Sequence, residues 1–429
     1  MKDCGVQLRE KMWVRATLLL MPISLVLFFT ACNTEVLDPE VGDPEFVGSE
    51  TCMTCHEGKY DDWIASGHPY KFTIVENGVE PTYPAEAVNF QDTWMTNLGD
   101  GSHDWSNIAG VIGGYGWKAR FVGTDGHIVG TANSEFSTGA GHNQINFYGG
   151  ENHGWANYHP ADEKIYNYGC FKCHTTGGTT DGTWLEGVDG LGTFTEGGIG
   201  CESCHGPGSL HADDPTTENI DRVYEFVHAD NSLGGLEVNG TVQTPDPNGD
   251  DVVFLCGTCH NRDYKNSINS SGGFIKHHEQ WDEFVVTKHG ENGMTCITCH
   301  DPHKRTIWDG DGIIATCQSC HPDQVAHTAH SASATCVDCH MPYAAKSGTI
   351  IGESGFRGDI RSHLMTIIPD TENMFTEDGS AVRDDAGRPA ALSPAYSCLG
   401  CHNDDPDDGI PNKTLEVAAA QAADMHAAK

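Results

Sequence analysis

A five-residue pattern, Cys-x-x-Cys-His, occurs eight times in this chain and constrains its fold more than any other feature. If each copy folds as a helical turn, residues i, i+3 and i+4 lie on one face of the helix. Two thiols and one imidazole then point the same way from every copy. The copies, numbered motif 1 to motif 8 in chain order, are Cys52/Cys55/His56, Cys170/Cys173/His174, Cys201/Cys204/His205, Cys256/Cys259/His260, Cys296/Cys299/His300, Cys317/Cys320/His321, Cys336/Cys339/His340 and Cys398/Cys401/His402.

This spacing is that of a c-type haem attachment site, in which two thiols form thioethers to the haem vinyl groups and the imidazole ligates the iron. Cys-x-x-Cys alone also suits zinc or a redox pair. A zinc framework does not require histidine directly after every second cysteine, and all eight motifs have it. The sequence therefore predicts eight covalently attached haem c groups, each with a proximal histidine.

The first 31 residues have the pattern of a secretory signal. Four basic residues precede an apolar run over about 16–29, and small residues follow before Cys32. Cys32 fits the cysteine of a lipoprotein signal; the alternative is ordinary cleavage nearby, which leaves a free thiol. We expect a signal at 1–31 and an acidic, lipid-anchored tether at 32–48. The protein would then be exported and held at the periplasmic or outer face of the cell envelope.

The composition limits both partners and architecture. A formal net charge of −37 argues against nucleic acid as a partner. With 51 glycines and 38% hydrophobic residues, we expect low regular secondary structure: mainly short α-helices and loops around stacked haems, with a small β-rich insertion at about 89–157. Three acidic runs, 246–251, 309–311 and 404–408, are candidates either for Ca²⁺ sites with oxygen ligands or for exposed turns.

Motif spacing suggests the organisation of the chain. Residues 49–236 would carry haems 1 to 3 and the insertion, in which residues 124–126 form a turn. Residues 237–251 are polar and rich in Asp, Gly and Pro, which predicts a loop. Residues 252–402 would carry haems 4 to 8, with a helix starting at Gly273, and 403–429 a helical tail.

The sixth ligand of each iron decides between electron carrier and catalyst, because an open position can bind substrate. Sixteen histidines lie outside the motifs. This supply favours two histidines for most irons. The distal candidates are His68, His211, His277, His278, His289, His303, His327, His330 and His363.

Several motifs carry a family resemblance. They are Ser66-Gly67-His68 after motif 1, the stretch GCESCHGPG at 200–208, TCITCHDPH at 295–303 and CVDCHMP at 336–342. Around motifs 1 to 4 the chain resembles tetrahaem cytochrome c-554 and its relatives; the later motifs look like those of larger multihaem cytochromes, including octahaem enzymes.

The resemblance directs attention to the second haem, which in the c-554 family lacks a distal protein ligand. In octahaem tetrathionate reductase a lysine occupies that place. The candidates here are Lys164, His153 and His159: a lysine or no ligand would permit catalysis, and a histidine would make haem 2 another carrier.

The resemblance is specific for the number of haems and not for the activity. We expect an octahaem electron carrier in an anaerobic or extracellular respiratory chain in preference to a multihaem oxidoreductase. Its partners would be other redox proteins, either multihaem cytochromes or a membrane quinol-oxidising complex. One alternative is a reductase of nitrite, hydroxylamine or tetrathionate at haem 2. Another is a subunit of an extracellular cytochrome filament, with His426 ligating a haem in a neighbouring subunit.

Overall fold

Short elements joined by long loops make up the chain. The computed structural model describes residues 42–84, 98, 104–135, 142–147, 154–220, 236–238, 241–243, 252–262, 267–308, 310–324, 330, 334–351, 354–385, 387–403 and 409–426. Residues 44–429 form one compact unit. Cys32, the tether as far as residue 41, His153 and His327 lie outside the described residues, so the anchor remains a prediction.

Most described helices are a turn or two long. They are α1 (Ser49–Ile64), α2 (Tyr168–Phe171), α3 (Glu202–His205), α4 (Ser209–Asp213), α5 (Val252–His260), α6 (Gln280–Val285), α7 (Lys288–Glu291), α8 (Cys317–Cys320), α9 (Cys336–His340), α10 (Pro394–Cys398) and α11 (Leu415–Ala423). Three-residue 3₁₀ helices cover Pro69–Lys71, Trp105–Asn107 and Cys296–Thr298. The predicted low content of regular structure is confirmed. The tail, expected to be helical, contains α11.

Each Cys-x-x-Cys-His motif begins, ends or lies within a helical turn, as its spacing predicts. In several motifs the histidine N–H donates to the carbonyl of the first cysteine, which closes the turn: the N···O distances are 3.0 Å for His205, 3.0 Å for His300, 2.8 Å for His321 and 2.9 Å for His402. Motifs 5 and 7 also carry capping boxes, formed by Thr295 with Thr298 and by Thr335 with Asp338. These turns hold the three haem-binding side chains on one side.

The predicted β-rich insertion forms most of a five-stranded antiparallel sheet in the order β1 to β5. The strands are β1 (Phe72–Ile74), β2 (Ile108–Gly113), β3 (Lys118–Gly123), β4 (Gln144–Asn146) and β5 (Gly154–Ala156). The remaining strands form small pairs and a triplet: β6 (Thr175–Thr176) with β7 (Glu196–Gly197), β8 (Leu236–Val238) with β9 (Thr241–Gln243), and β10 (Ser270–Ser271), β11 (Phe274–Lys276) and β12 (Ala345–Lys346).

Alternating side chains explain why the insertion folds as a sheet. Ala119 and Phe121 of β3 are fully buried on one face, whereas Lys118 and Arg120 lie on the other. Gly110 is required at a bulge in β2, since a Cβ there would come within 2.3 Å of the Phe72 ring. The predicted turn at 124–126 is present: the N–H of Gly126 donates to the Gly123 carbonyl at 3.0 Å.

Two local predictions were wrong. The chain from Gly273 begins with strand β11, and the helix starts only at Gln280. Gly272 and Gly273 both have positive φ, 58° and 78°, which makes a tight turn between β10 and β11, and Phe274 is buried in the resulting sheet. The polar stretch expected to be a loop contains the paired strands β8 and β9.

Among the described residues, apolar side chains form three clusters, and none of these lies in the segment of motifs 5 to 7. One cluster packs around Phe274, Leu364 and Tyr396, and one lies within the insertion sheet. A third is built of aromatic rings around Phe72 and Tyr166. In the described part of 288–343 only a glycine and a proline are buried. This segment has no apolar core of its own, which fits a region built around large apolar cofactors.

A buried carboxylate fixes the entry of the chain into this unit. Glu202, inside motif 3, is only 1% exposed. Its oxygens accept hydrogen bonds from the backbone N–H groups of Val47, at 2.9 Å, Gly48, at 2.8 Å, and Gly208, at 2.7 Å. Hydrogen bonds to a charged acceptor contribute about 1.5–3 kcal/mol each. This one side chain therefore ties the start of α1 to motif 3.

Helix α6 carries acidic side chains on a buried surface. Asp282 is 3% exposed and accepts a hydrogen bond from Asn261 Nδ2 at 3.0 Å. Burial, and next the charge of Glu279, raises the pKa of Asp282 to about 9. Because an unfolded aspartate has a pKa of about 3.9, the folded protein holds a proton here that the unfolded chain releases.

This difference predicts that the free energy of unfolding falls as the pH rises from about 4 to the folded pKa of about 9. The contribution of Asp282 is full below that window and is lost as pH rises through it. Asp282→Asn is neutral at every pH, so we expect a higher melting temperature at pH 8 and a weaker pH dependence, measured by thermal unfolding of the haem-loaded protein. Exposed Asp61→Asn is the control. An unchanged or steeper dependence in Asp282→Asn would contradict the assignment.

Candidate functional site: paired imidazoles and an ordered set of motifs

Six of the eight motif histidines face a second histidine ring from elsewhere in the chain. The ring centroids are separated by 6.2 Å for His56 and His211, 6.3 Å for His205 and His303, 6.2 Å for His300 and His363, 5.8 Å for His321 and His289, 5.9 Å for His402 and His330, and 5.6 Å for His340 and His426. The motif histidine is the proximal member in every pair.

These separations fit a metal ion held between the rings. A metal–imidazole bond is about 2 Å long, so two ring nitrogens on opposite sides of one iron lie about 4 Å apart. The Nε2 atoms of His340 and His426 are 3.4 Å apart, close to this value. All sixteen motif cysteines are free thiols. Their thiols and the paired rings are thus the groups that would hold haem c.

The remaining two motif histidines also have distal candidates nearby. Burial, and next the charges of Lys71 and His260, lower the pKa of His68 to about 3. The electrostatic coupling places His68 near the motif 4 histidine. Burial, and next His174, lower the pKa of His278 well below its usual value, which places His278 near the motif 2 histidine.

Most distal candidates named from the sequence thus lie opposite or near a motif histidine. His211, His289, His303, His330 and His363 complete pairs, while His327 lies outside the described residues. The sequence did not identify His426 as a ligand within its own chain. It follows α11, which packs on the core through Ala418, and the chain offered no local signal for a partner as distant as His340.

The two haem 2 candidates that the structure describes lie near the surface, and the charge of Lys164 acts on Cys170 of motif 2. His159 and Lys164 both pair with Asp162, at 3.4 Å and 3.3 Å, and their side chains are 54% and 39% exposed. Neither side chain is among the groups that lower the pKa of His174. His153 lies outside the described residues.

A different set of cations surrounds motif 2. Lys118 Nζ lies 3.5 Å from His277 Nε2, and Arg262 Nη2 lies 3.5 Å from both ring nitrogens of His277. Burial, followed by the charges of Lys71 and Lys118, lowers the pKa of His174 to about 4. Lys71, Lys118 and Arg262, here called the cationic group, therefore approach motif 2 from three segments distant in the sequence.

The polar face of the insertion sheet adds to this environment. Lys118 of β3 pairs with Asn146 of β4. Arg120 and Gln144 lie two residues along these strands, on the same face of the sheet. Arg120 Nη2 and Gln144 Oε1 are buried without a hydrogen-bond partner. Burial lowers the pKa of Arg120 to about 10, and Tyr158 and Cys170 partly oppose this shift. Arg120 therefore belongs to the surroundings of the motif 2 attachment cysteines.

The thiols show which motifs are neighbours in space. In a haem-loaded protein these sulfurs are thioethers, so their contacts bring the attached haem edges together. Thiols of different motifs interact in seven combinations: Cys52 with Cys201, Cys204 with Cys259, Cys173 with Cys259, Cys256 with Cys296, Cys299 with Cys320, Cys317 with Cys336, and Cys339 with Cys398. The motifs follow the order 1, 3, 4, 5, 6, 7, 8, and motif 2 branches from motif 4.

Five of the sixteen predicted attachment cysteines are exposed in the polypeptide alone: Cys55, Cys170, Cys317, Cys320 and Cys401. The contact described for Cys55 Sγ is with the Thr54 hydroxyl beside it, at 3.8 Å. The Cys401 N–H donates to the Cys398 carbonyl at 3.1 Å, which keeps the turn of motif 8 while the side chain stays exposed. Motifs 1 and 8 end the order of neighbours, so their second cysteines lack a further motif to cover them. Haem attachment at Cys55 and Cys401 therefore rests on spacing alone and stays a prediction.

Comparison with known proteins supports this reading of the motifs. Residues 143–206, which include motifs 2 and 3, match the family described as cytochrome c554 and c-prime. The chain is a multihaem c-type cytochrome. Its relatives imply covalently bound haem c and a role in electron transfer.

One curated relative is the multihaem cytochrome MtrA of Shewanella baltica (strain OS185). It is 26% identical over 158 residues, which are 34% of this chain and 37% of MtrA. This cytochrome therefore spans little more than a third of that relative's length.

Two solved structures of multihaem cytochromes are also similar. The outer cell wall cytochrome OcwA has a TM-score of 0.44 at 17% identity, over 76% of this chain and 80% of OcwA. The octahaem sulfite reductase MccA of Wolinella succinogenes has a TM-score of 0.46 at 17% identity, over 83% of this chain and 65% of MccA.

Two further observations concern membranes and metal ions. Among the described residues, no helix has both the length and the apolar character needed to span a bilayer. The same residues contain no group of three or more His, Cys, Asp or Glu side chains that could hold a metal ion. The acidic runs considered for Ca²⁺ at 246–251 and 404–408, and residue 309, lie outside the described residues.

The angles between paired rings predict the magnetic signals of the oxidised cytochrome. Axial imidazoles with perpendicular planes give a larger principal g-value in low-spin ferric haem than parallel ones. The rings are 89° apart at motifs 6 and 8, but 6°, 17° and 23° apart at motifs 3, 1 and 7. We expect large-g signals from two haems in low-temperature EPR. His289→Ala should remove one of them, and a spectrum without large-g signals would contradict the pairing.

The pairing of His340 with His426 makes a second prediction. His426→Ala should convert one haem from low-spin to high-spin, because the iron of motif 7 loses its distal ligand. Optical and EPR spectra measure the change, and size exclusion should show the same oligomeric state as the parent. His127→Ala is the control, since His127 pairs with Asp125 and Glu163 instead. Unchanged spectra in His426→Ala would contradict the assignment, and a dissociated oligomer would favour a ligand between subunits.

Proposed function

We propose that the protein binds one haem c at each of its eight motifs and conducts electrons along motifs 1, 3, 4, 5, 6, 7 and 8, with motif 2 as a branch. The observation that carries the proposal is the set of six imidazole pairs, in which both axial positions are supplied by protein. When bound, each haem iron takes up and releases one electron. Histidines on both sides leave substrate no position on the iron, which favours a carrier over a catalyst at these six sites.

The order of neighbouring thiols supports continuous conduction. Attachment cysteines of neighbouring motifs hydrogen-bond or interact electrostatically, and Cys256 of motif 4 hydrogen-bonds Cys296 of motif 5. The polypeptide thereby holds successive cofactors close together, and no mobile carrier is needed between them.

The two ends of the path also suit a carrier. Electrons must enter and leave through cofactor edges that partner proteins can approach. The second cysteines of motifs 1 and 8, Cys55 and Cys401, are both exposed. A haem attached to either one would present an edge at the surface.

The proposed setting follows from the N-terminal sequence and the charge. We propose that the chain is exported, lipidated at Cys32, and held at the periplasmic or outer face of the envelope in an anaerobic or extracellular respiratory chain. The charge of −37 would steer cationic faces of partner proteins toward it. Such partners would be other multihaem cytochromes or a membrane quinol-oxidising complex.

A second candidate function is supported at motif 2 alone. The cationic group and Arg120 concentrate positive charge there in a chain that is otherwise strongly acidic. Buried cations would bind and orient a small nitrogen or sulfur oxyanion such as nitrite or tetrathionate. The same cations could neutralise haem carboxylates, so their presence alone does not decide between the two roles.

Mass spectrometry and redox titration test the main proposal. We expect the mass of eight haem groups on the mature chain and uptake of eight electrons per protein. Reduced protein should be reoxidised rapidly by an oxidised multihaem cytochrome. Fewer haems, or a fraction of haem that cannot be reoxidised, would contradict continuous conduction.

Reoxidation by oxyanions tests the second candidate. If motif 2 is a carrier site, neither nitrite, hydroxylamine nor tetrathionate will reoxidise the reduced protein faster than buffer. If it is catalytic, one of these will, and Lys118→Gln will slow the reaction at least tenfold. Lys288→Gln is the matched control, since Lys288 is exposed and pairs with Glu291. Equal rates for both lysine variants would reject the cationic group as the binding site.

A further inference from the structure

The outer nitrogens of the axial imidazoles have different hydrogen-bond partners. Several Nδ1 atoms meet a neutral oxygen: His340 meets the Met365 carbonyl at 2.8 Å, His402 the Pro411 carbonyl at 2.7 Å, His211 the Thr216 carbonyl at 2.8 Å, His174 the Tyr166 hydroxyl at 3.3 Å, and His260 the Gln280 amide oxygen at 3.5 Å. His303 differs from these five, because its Nδ1 meets a carboxylate.

That carboxylate belongs to Asp301. Its Oδ1 lies 3.0 Å from His303 Nδ1 and also accepts the backbone N–H of His303 at 3.0 Å. The Asp301 N–H donates to the Gly312 carbonyl at 2.9 Å, and Lys59 Nζ lies 3.8 Å from the second carboxylate oxygen. Backbone and side-chain contacts therefore fix the acceptor against one particular ring.

The motif 5 pair is the opposite case. His300 Nδ1 is buried and has no hydrogen-bond partner among the described residues. His363 Nδ1 is buried without a hydrogen bond of normal geometry, although the Arg361 carbonyl acts on its ring. Asp301 directly follows His300 in the chain, yet its carboxylate contacts the ring that serves motif 3.

An acceptor at the outer nitrogen of an axial imidazole makes the ring a stronger donor to the metal. A stronger donor favours the ferric over the ferrous state, and hydrogen bonding is one way by which proteins set haem potentials. A charged acceptor acts more strongly than a neutral carbonyl, because charge-assisted hydrogen bonds are about twice as strong.

We propose that Asp301 is a positioning residue that, through His303, holds the haem of motif 3 at a lower reduction potential than the haem of motif 5. The inference rests on the proposed function, since it requires His303 and His363 to be the distal ligands at these motifs. An electron entering at motif 1 or motif 3 then moves through motif 4 toward motif 5. Asp301 and His303 thus favour electron flow from motif 3 toward motif 5.

Asp301→Asn tests the proposal, because the amide keeps an acceptor of the same shape and removes the charge. We expect one of the most negative steps of the redox titration to move to higher potential. The shift should be at least about 59 mV, which corresponds to a tenfold change in the equilibrium constant of a one-electron step. The signal that moves should be one with nearly parallel rings, since the motif 3 rings are only 6° apart. Optical redox titration with EPR sampling measures both.

Two controls separate the alternatives. Asp62→Asn removes a nearby carboxylate, which lies 4.0 Å from Lys304, without touching an axial ring. An equal shift in this variant, or an unchanged titration in Asp301→Asn with haem content intact, would overturn the proposal. If Asp301→Asn loses haem, Asp301→Glu should restore both haem and the low potential. His303→Ala that leaves every low-spin signal in place would instead show that the proposed ligation is wrong.

Discussion

The pairing of histidine rings from segments far apart in the sequence is the constraint on which the rest of this cytochrome depends. Each pair joins segments that are distant in the sequence, as His340 and His426 are across 86 positions. In the segment of motifs 5 to 7, such pairs replace the side-chain core that an ordinary domain of this size would have. The polypeptide there serves chiefly to place ligands, so glycine-rich loops and one-turn helices suffice.

Elsewhere the chain uses ordinary packing to hold the ligand-bearing segments still. The buried carboxylate of Glu202 fixes the start of α1 to motif 3, and the insertion sheet rests on its own apolar face. The opposite face of the sheet carries cations toward motif 2. A strongly acidic protein therefore keeps some of its few positive charges at the one motif that branches from the main path.

The sequence predicted local structure, but it did not predict which distant segments meet in the folded chain. Helical turns at the motifs follow from covalent spacing, and distal ligands such as His211 and His303 lie just after a motif. Which imidazole meets which depends on loop paths that no periodicity encodes, so His426 was not assigned within its own chain. Lys164 was chosen for its closeness in sequence to motif 2, whereas Lys118 and Arg262 reach the site through folding. The Gly-Gly turn at 272–273 did carry a signal for a strand, which the apolar spacing beyond it obscured.

The position of motif 4 has a consequence for how much damage the cytochrome can tolerate. Its cysteines contact those of motifs 2, 3 and 5, so it is the single node where three branches meet. Loss of the cofactor at motif 1 or motif 8 would shorten the path from one end and leave the remainder connected. Loss at motif 4 would separate the set into three isolated groups. In the language of networks, robustness is unequal: the ends can be lost one at a time, whereas three branches meet at the junction.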